Sequence, residues 1–230
     1  MWSGPRNIST AMMRAWENRP DTVVVDEPLY AAYLAATGID HPGRDEVIAS
    51  QPTDPDLVVR ALLADDSAPV HYAKHMSHHL LPSMSLDWVA DFANVLLIRD
   101  PREVVASYVR SRETCEPEDI GLLQQERLLG VLPPETPVID AGDFLRDPEA
   151  HLRWLCDRLG IAFTDRMLHW PAGLRESDGV WAPHWYDAVA ASTGFEPWRP
   201  RTVELNAHDE AVAEACRPAY DSLFERRVRL

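Results

Sequence analysis

The sequence predicts an α/β fold in which helices flank a central parallel sheet in three layers, followed by an irregular and helical C-terminal cap. Two observations predict it: short β-branched runs recur along the first two thirds of the chain, and helical patterns separate them. Only Met1 to Ser3 precede the first turn, so we expect either an abbreviated edge strand there or a start upstream. The later runs are "TVVVDEP" (22–28), "PVHYAKHM" (69–76), "NVLLIRDP" (94–101) and "TPVIDAGDFL" (136–145).

Helical periodicity fills the intervals between these runs. The predicted helices cover residues 9–17, 30–37, 55–63, 86–93, 101–112, 120–131 and 148–159, and a final helix covers about 208–226. The helix at 148–159 has the clearest boundaries, since Asp147 suits the N-cap, Pro148 the first position and Gly160 the end.

Length and composition predict one domain over residues 1–230. With 46% hydrophobic residues the chain can bury one core. We assign the sheet core to about residues 1–160, and a cap or lid with the C-terminal helix to about 161–230, where Trp, Pro and Gly interrupt the periodicity.

The net charge of −15 argues against nucleic acid and anionic membranes as partners. No run reaches the roughly 18 apolar residues of a membrane span and no signal peptide is recognisable, so we expect a cytoplasmic protein. Cys115, Cys156 and Cys216 are far apart and lack ligand spacing, which predicts free thiols and no metal site.

Two short segments nevertheless carry a net charge of +2 each. Residues 1–20 contain three arginines against one glutamate, and residues 94–112 contain four arginines against one aspartate and one glutamate. Such islands suit either a small polyanion or a solvated helix face.

The turn "SGPRNIST" (3–10) has the composition of an anion site, because a loop between a strand and a helix presents free backbone N–H groups at the positive end of the helix dipole. Gly4 and Pro5 shape the turn, Arg6 adds a cation, and Ser9 and Thr10 add hydroxyls. The spacing is not that of a Walker A loop, since its lysine and magnesium ligand are missing. An ordinary serine-capped helix is the alternative.

In the second island Arg99 ends a strand and Ser107 follows eight residues later, two turns into a helix begun by Pro101. Both side chains can face the carboxyl edge of the sheet, where ligands of open α/β folds bind.

Together these stretches resemble the sulfotransferase superfamily that uses 3′-phosphoadenosine 5′-phosphosulfate (PAPS), and in particular its bacterial sulfotransferase-like members. "PRNIST" (5–10) follows the family pattern P-[KR]-S-G-[ST]-T, with Asn7 and Ile8 in place of serine and glycine. "RDPREVVASY" (99–108) matches R-[DN]-P-R-D-V-x-x-S-x-Y, and "AGDFLRDPEAHLRWLCDRLGI" (141–161) echoes a third family stretch.

The resemblance implies a P-loop-like domain that moves the sulfuryl group of PAPS, as cosubstrate and without a metal, to a hydroxyl or amine of a small-molecule acceptor by in-line transfer. It places the sulfonate and 5′-phosphate on the turn and the 3′-phosphate on Arg99 and Ser107. The residues implied for the turn are Pro5, Arg6, Asn7, Ile8, Ser9 and Thr10.

Arg6 and a general base would carry the chemistry. Glu27 in "VVVDEPLY" is the first candidate, at the end of the second strand and beside the turn in a 2-1 strand order; a carboxylate at a helix N-terminus is the alternative. "AKHMSHHLLP" offers Lys74 and His75 at the end of the third strand. The histidines there lack a carboxylate or thiol spaced to complete a zinc site.

The C-terminal region adds Trp181, His184, Trp185 and Tyr186, which suit an apolar lid over the acceptor or plain core packing. Arg199 and Arg201 are either nucleotide contacts or surface arginines. Two other functions stay open: a catalytically impaired sulfotransferase-like binding protein and a P-loop nucleotide kinase. The sequence identifies neither the acceptor nor the oligomeric state, and a homodimer remains open.

Overall fold

The computed structural model describes residues 1–110 and 114–230. Within that part of the chain, five parallel strands form one sheet in the order β2-β3-β1-β4-β5. The predicted α/β class with a central parallel sheet is therefore confirmed. The strands are β1 (Trp2–Ser3), β2 (Thr22–Asp26), β3 (Val70–Met76), β4 (Leu96–Ile98) and β5 (Val138–Asp140).

The strand order corrects two expectations. β3 lies between β2 and β1, pairing Trp2 with His75 and Asp26 with Lys74, so Glu27 is not adjacent to the turn in a 2-1 order. β1 is central rather than an edge strand, since β4 pairs with its other side. Strand patterns in the sequence predict the strands but not which strands lie side by side, because pairing joins segments that are far apart in the chain.

Helices cover both faces of this sheet. Their bounds are α1 (Ser9–Glu17), α2 (Tyr30–Thr37), α3 (Arg44–Ser50), α4 (Pro55–Ala64), α5 (Pro101–Tyr108), α6 (Pro117–Ile120), α7 (Leu122–Leu129), α8 (Ala141–Arg146), α9 (Pro148–Arg158), α10 (Ala182–Trp185), α11 (Asp187–Ala190) and α12 (Ala207–Glu225). Short 3₁₀ turns span Ser77–His79, Asp87–Asp91 and Asp165–Leu168.

Several predicted helices have different bounds. The helices predicted at 9–17 and 30–37 are confirmed, whereas the one at 101–112 ends at Tyr108 and its last predicted residues, 111 and 112, lie outside the described residues. The segment 86–93 contains only a 3₁₀ turn. Asp147 caps α9 as predicted, accepting a hydrogen bond from the Ala150 N–H.

The helix predicted at 120–131 is broken at Gly121, whose φ of 80° favours glycine. The break accommodates the opening turn: a Cβ at Gly121 would lie 3.0 Å from the Cα of Gly4, and a Cβ at Gly4 would lie 2.2 Å from the Ile120 carbonyl oxygen. Two glycines therefore let the turn after β1 pack directly on the α6–α7 junction.

Two apolar clusters fill the layers on either side of the sheet. One joins β4 to α5, α7 and α12, including Leu96, Val105 and Ala213. The other joins α1 to β5, α8 and α9, including Met12 and Phe144. The last helix thus packs in the core, after the irregular region between α9 and α12.

That irregular region is fixed to α1 by a buried ion pair. Arg14, fully buried, donates to Asp178 at 2.5 Å, and Arg175 bonds Glu17 at 2.9 Å. Trp181, 1% exposed, then packs against Tyr30 of α2. Throughout the described residues, no helix has the length and apolar character needed to cross a membrane.

Candidate active site

A cavity of about 600 Å³ opens at the carboxyl ends of the strands. The turn before α1 forms one wall, and the ends of β2, β3 and β4, the helix α5 and the C-terminal segment form the others. This is the edge at which open parallel sheets place their ligands.

The turn itself is built to present N–H groups. Arg6 has a φ of 54°, in the left-handed region, and Ile8 is the N-cap of α1 with φ −90°. The Cβ of Ile8 therefore meets no backbone conflict at the position where the family pattern has glycine. No side chain caps α1, because Ser9 is its first helical residue and Asn7 Oδ1 accepts from the Ile8 N–H instead, at 2.8 Å. The alternative of a serine-capped helix is therefore wrong.

The structure joins the turn to the second arginine island. Arg6 Nε donates to Ser107 Oγ at 3.1 Å, and Arg99 Nη1 donates to the Arg6 carbonyl oxygen at 2.9 Å. Arg99 also bonds Glu103 Oε2 through Nε at 3.0 Å and Nη2 at 2.7 Å. The residues that sequence motifs proposed for the two ends of the cosubstrate thus lie side by side. The six residues from Pro5 to Thr10 all line the cavity.

The electrostatics at the end of the cavity next to Arg6 favour the binding of an anion. Burial lowers the pKa of the Arg6 guanidinium, and the positive charges of Arg110 and Arg99 lower it further. Among the described residues no carboxylate forms an ion pair with Arg6. A phosphate or sulfonate would relieve the repulsion between the arginines.

At the other end, Lys74 is the only lysine of the chain and is 1% exposed. Its Nζ donates to Asp26 Oδ1 at 2.7 Å, Glu27 Oε1 at 2.6 Å and the Tyr186 hydroxyl at 2.6 Å. Glu27 has a φ of 42°, a left-handed conformation that is uncommon for glutamate. The predicted residues Glu27 and Lys74 are thus brought together.

Glu27 and Lys74 alter each other's pKa values. Burial raises the pKa of Glu27 and the charge of Asp26 adds to that, while Lys74 opposes both. Burial alone would lower the pKa of Lys74, but Asp26 and Glu27 outweigh it and hold that pKa well above its ordinary value. Lys74 is therefore an ammonium ion throughout the physiological pH range.

His75, also predicted as catalytic, does not line the cavity. Its ring stacks on Trp2 with centroids 4.1 Å apart, and burial lowers its pKa well below the ordinary value. Side chains alternate along a strand, so Lys74 and Met76 face the cavity and His75 faces the opposite side. His79 does line the cavity, stacked between Tyr30 and a second tyrosine of α2.

The C-terminal residues divide between lid and core. His184, Trp185 and Tyr186 line the cavity, whereas Trp181 is buried in the core beside Tyr186. Arg201 lines the cavity too. Arg199 is exposed and is not part of the cavity wall.

Sequence reasoning missed three contributors: Asp26 as a partner of Lys74, Tyr186 as the third acceptor, and Glu103 as the partner of Arg99. One signal was available, because the sole lysine of an arginine-rich chain stands at a strand end. Within residues 1–110 and 114–230, no group of three or more His, Cys, Asp or Glu side chains is placed to hold a metal ion.

Comparisons with known proteins agree with this architecture. Similar solved structures include the sulfotransferase domain from the curacin biosynthetic pathway, with a TM-score of 0.57 and 16% identity over 93% of this chain and 95% of that one. The sulfotransferase from Alicyclobacillus acidocaldarius has a TM-score of 0.59 and 14% identity over 99% and 95% of the two chains. At such low identity these likenesses show a shared fold.

A curated relative is more similar in sequence. "Branched-chain-amino-acid aminotransferase-like protein 1" of Arabidopsis thaliana is 39% identical in an alignment that covers 96% of this chain. The chain spans only 40% of the length of that relative.

The sulfotransferase domain family matches residues 1–227, nearly the whole chain, and includes both arginine islands and the Lys74 cluster. The chain therefore belongs to the sulfotransferase domain family.

Proposed function

We propose that this chain transfers the sulfuryl group of PAPS to a hydroxyl or amine of a small-molecule acceptor. One observation carries the proposal: Arg6, with no carboxylate partner in the described part of the chain, lies in the cavity beside Arg99 and Ser107. A cluster of cations and uncapped helix N–H groups in a chain of charge −15 suits a ligand with several anionic groups.

PAPS offers such groups at both ends of its nucleotide. In the proposal, Arg6 and the first-turn amides of α1 hold the 5′-phosphate and sulfonate, and Arg99 and Ser107 hold the 3′-phosphate. Arg201, also in the cavity wall, adds a further cation.

The acceptor then occupies the end of the cavity next to Glu27. Its oxygen or nitrogen attacks the sulfur in line with the leaving phosphate oxygen, its proton passes to Glu27, and the sulfur–oxygen bond to the 5′-phosphate breaks. The leaving oxygen keeps the electron pair, and Arg6 and the loop amides stabilise its charge. Rings of Tyr30, His79 and Trp185 provide an apolar wall for the acceptor.

The two alternative functions have weaker support. A kinase of the P-loop type needs a lysine in the turn, and the sole lysine lies in β3 with two carboxylates on it. The impaired binding protein was suggested by Ile8 at the glycine position of the family pattern, and Ile8 adopts an ordinary backbone conformation there.

The aminotransferase-like name of the Arabidopsis relative does not suit this segment. Aminotransferases form a Schiff base between a free lysine amine and pyridoxal phosphate. Lys74 donates to Asp26 and Glu27, and both carboxylates favour its ammonium form. We therefore place that chemistry outside the segment that this chain matches.

Calorimetric titration with 3′-phosphoadenosine 5′-phosphate (PAP) tests the proposal. We expect micromolar binding to the unaltered protein, at least tenfold weaker binding of adenosine 5′-phosphate, and a loss of that difference in Arg99→Ala. Arg60→Ala, an exposed arginine on α4, is the matched control. Equal binding of the two nucleotides to the unaltered protein would overturn the proposal.

A further inference from the structure

Asp26, Glu27 and Lys74 form a buried group that we call the base cluster. Tyr186 lies outside the sheet, 112 residues beyond Lys74, and contacts this cluster. Its hydroxyl accepts hydrogen bonds from Lys74 Nζ at 2.6 Å and Trp181 Nε1 at 3.2 Å, and donates to Asp26 Oδ2 at 2.7 Å. It lies 3.4 Å from Glu27 Oε1. Two accepted bonds and one donated bond use the full capacity of a hydroxyl group.

We propose that Tyr186 is a positioning residue for sulfuryl transfer: its hydroxyl anchors Lys74 and Asp26 and so keeps Glu27 in the carboxylate form that receives the acceptor's proton. This inference rests on the proposed function. It adds to that function a residue of the C-terminal segment that acts through the base.

The placement of Tyr186 is fixed by the segment before it. The buried pair between Arg14 and Asp178 holds that segment on α1, and the Gly179 N–H donates to Asp26 Oδ2 at 3.3 Å. Trp181 is 1% exposed and its indole N–H points at the Tyr186 hydroxyl. The C-terminal segment thus completes the base cluster as well as covering the cavity.

The hydroxyl matters because the cluster holds two carboxylates and one ammonium. The bond from Tyr186 stabilises the negative charge of Asp26, so Lys74 can serve both carboxylates. Without it, the surplus negative charge is less well stabilised, and a proton binds Glu27 more readily.

The titratable groups that face Glu27 are Asp26 from its own strand end, Lys74 from β3 and Tyr186 from the C-terminal segment. Two further groups, Tyr72 and His79, interact electrostatically with Lys74. Burial raises the pKa of the first and lowers that of the second, so both are neutral near pH 7. The charge balance at Glu27 is therefore set by Asp26, Lys74 and the Tyr186 hydroxyl.

Tyr186→Phe tests the inference through the pH profile of kcat/KM with PAPS. We expect the acid limb to move up by about one pH unit, with PAP affinity unchanged within about twofold. Tyr220→Phe is the matched control, since Tyr220 donates to Asp140 Oδ2 at 3.1 Å away from the cavity. A rate that falls equally at every pH, with an unmoved limb, would mean a merely structural role.

A second readout needs no acceptor and no PAPS. Because Lys74 is the only lysine, protein labelled with ¹⁵N-lysine gives one side-chain ammonium signal, whose pH titration reports the protonation of its carboxylate partners. In Tyr186→Phe the midpoint should rise relative to both the unaltered protein and Tyr220→Phe. Equal midpoints overturn the inference.

Trp181→Phe provides a second test of the inference in case Tyr186→Phe does not fold. It retains a ring at this position and removes the N–H that donates to the Tyr186 hydroxyl, so we expect a smaller shift in the same direction. An absence of PAP binding to the unaltered protein would refute the proposed function, while an unmoved ammonium titration refutes only the role of Tyr186.

Discussion

Arg6 Nε and Ser107 Oγ lie 3.1 Å apart although 101 residues separate them in the chain. Arg99, at the end of β4, closes the arrangement by donating to the Arg6 carbonyl oxygen. Side-chain hydrogen bonds thus join the turn after β1 to the helix after β4, and the anion site that we propose there is held by contacts within the protein. Preorganised groups bind with a smaller loss of conformational entropy.

Ser107→Ala should weaken PAP binding about tenfold, because the hydroxyl orients Arg6 and its loss also removes a hydrogen bond available to a phosphate. Calorimetry measures the change. Ser50→Ala is the control, since the Ser50 hydroxyl bonds only a carbonyl of its own helix, α3, in the described structure. If PAP affinity in Ser107→Ala equals that of the control, Ser107 does not contribute to the anion site.

Glu103→Gln should tighten PAP binding several-fold. Glu103 accepts two hydrogen bonds from Arg99 and places a negative charge at the anion site. Glutamine keeps an acceptor oxygen and removes the charge, so Arg99 stays in place and attracts a phosphate more strongly. The gain should shrink with added salt, as charge interactions are screened.

Glu149→Gln provides the comparison for that prediction. Glu149 pairs with Arg153 on α9, an exposed ion pair with the same spacing of four residues. Its loss should leave nucleotide affinity unchanged. Weaker PAP binding in Glu103→Gln would instead mean that Glu103 is needed to hold Arg99 in position.

Much of this arrangement follows from the sequence, because local signals specify local structure. Asp147 and Pro148 define the start of α9, and the spacing of Arg99 and Ser107 puts both at the carboxyl edge of the sheet. The turn at Arg6 could be assigned to the same edge because it joins a strand to a helix.

The rest depends on long-range packing that no local pattern encodes. His75 was predicted as catalytic because it adjoins Lys74, but the alternation of β3 and the pairing of β3 with β1 direct it onto Trp2. Tyr186 lies in a region without periodicity, and long-range contacts such as the buried pair between Arg14 and Asp178 fix its position. Neither contact has a signature within a short window of sequence.

The rate of transfer should depend on pH through Glu27. Burial raises the pKa of Glu27. As the pH falls, the carboxylate that accepts the proton is therefore protonated at a pH above the ordinary glutamate range. We expect kcat/KM to fall on the acid side along a limb that lies above about pH 4.3. Glu27→Gln should remove that limb and lower kcat by about 10²- to 10⁴-fold.

PAP binding separates this loss from misfolding. In the described part of the chain, Glu27 shares no hydrogen bond or ion pair with Arg6, Arg99 or Ser107, so the affinity of Glu27→Gln for PAP should match that of the unaltered protein. A variant that binds PAP normally and retains most of its transfer rate would show that another group accepts the proton.

Lys74→Met should destabilise the protein by about 3–5 kcal/mol at neutral pH, because it leaves the carboxylates of Asp26 and Glu27 buried without their cation. Urea unfolding measures the loss. Replacing the exposed partner Arg153 by Met breaks a surface ion pair instead, and should cost less than about 1 kcal/mol.

The pH dependence of that loss identifies its cause. In Lys74→Met the buried Glu27 loses the cation that opposes the rise of its pKa, so the folded protein binds a proton more tightly than the unfolded chain does. Stability should therefore recover as the pH falls toward the ordinary carboxyl range near pH 4 and decline as the pH rises. The triple variant Asp26→Asn, Glu27→Gln, Lys74→Met removes all three charges, and its stability should vary less with pH. A deficit of Lys74→Met that stays constant from pH 5 to pH 8 would mean that lost packing, rather than uncompensated charge, destabilises the variant.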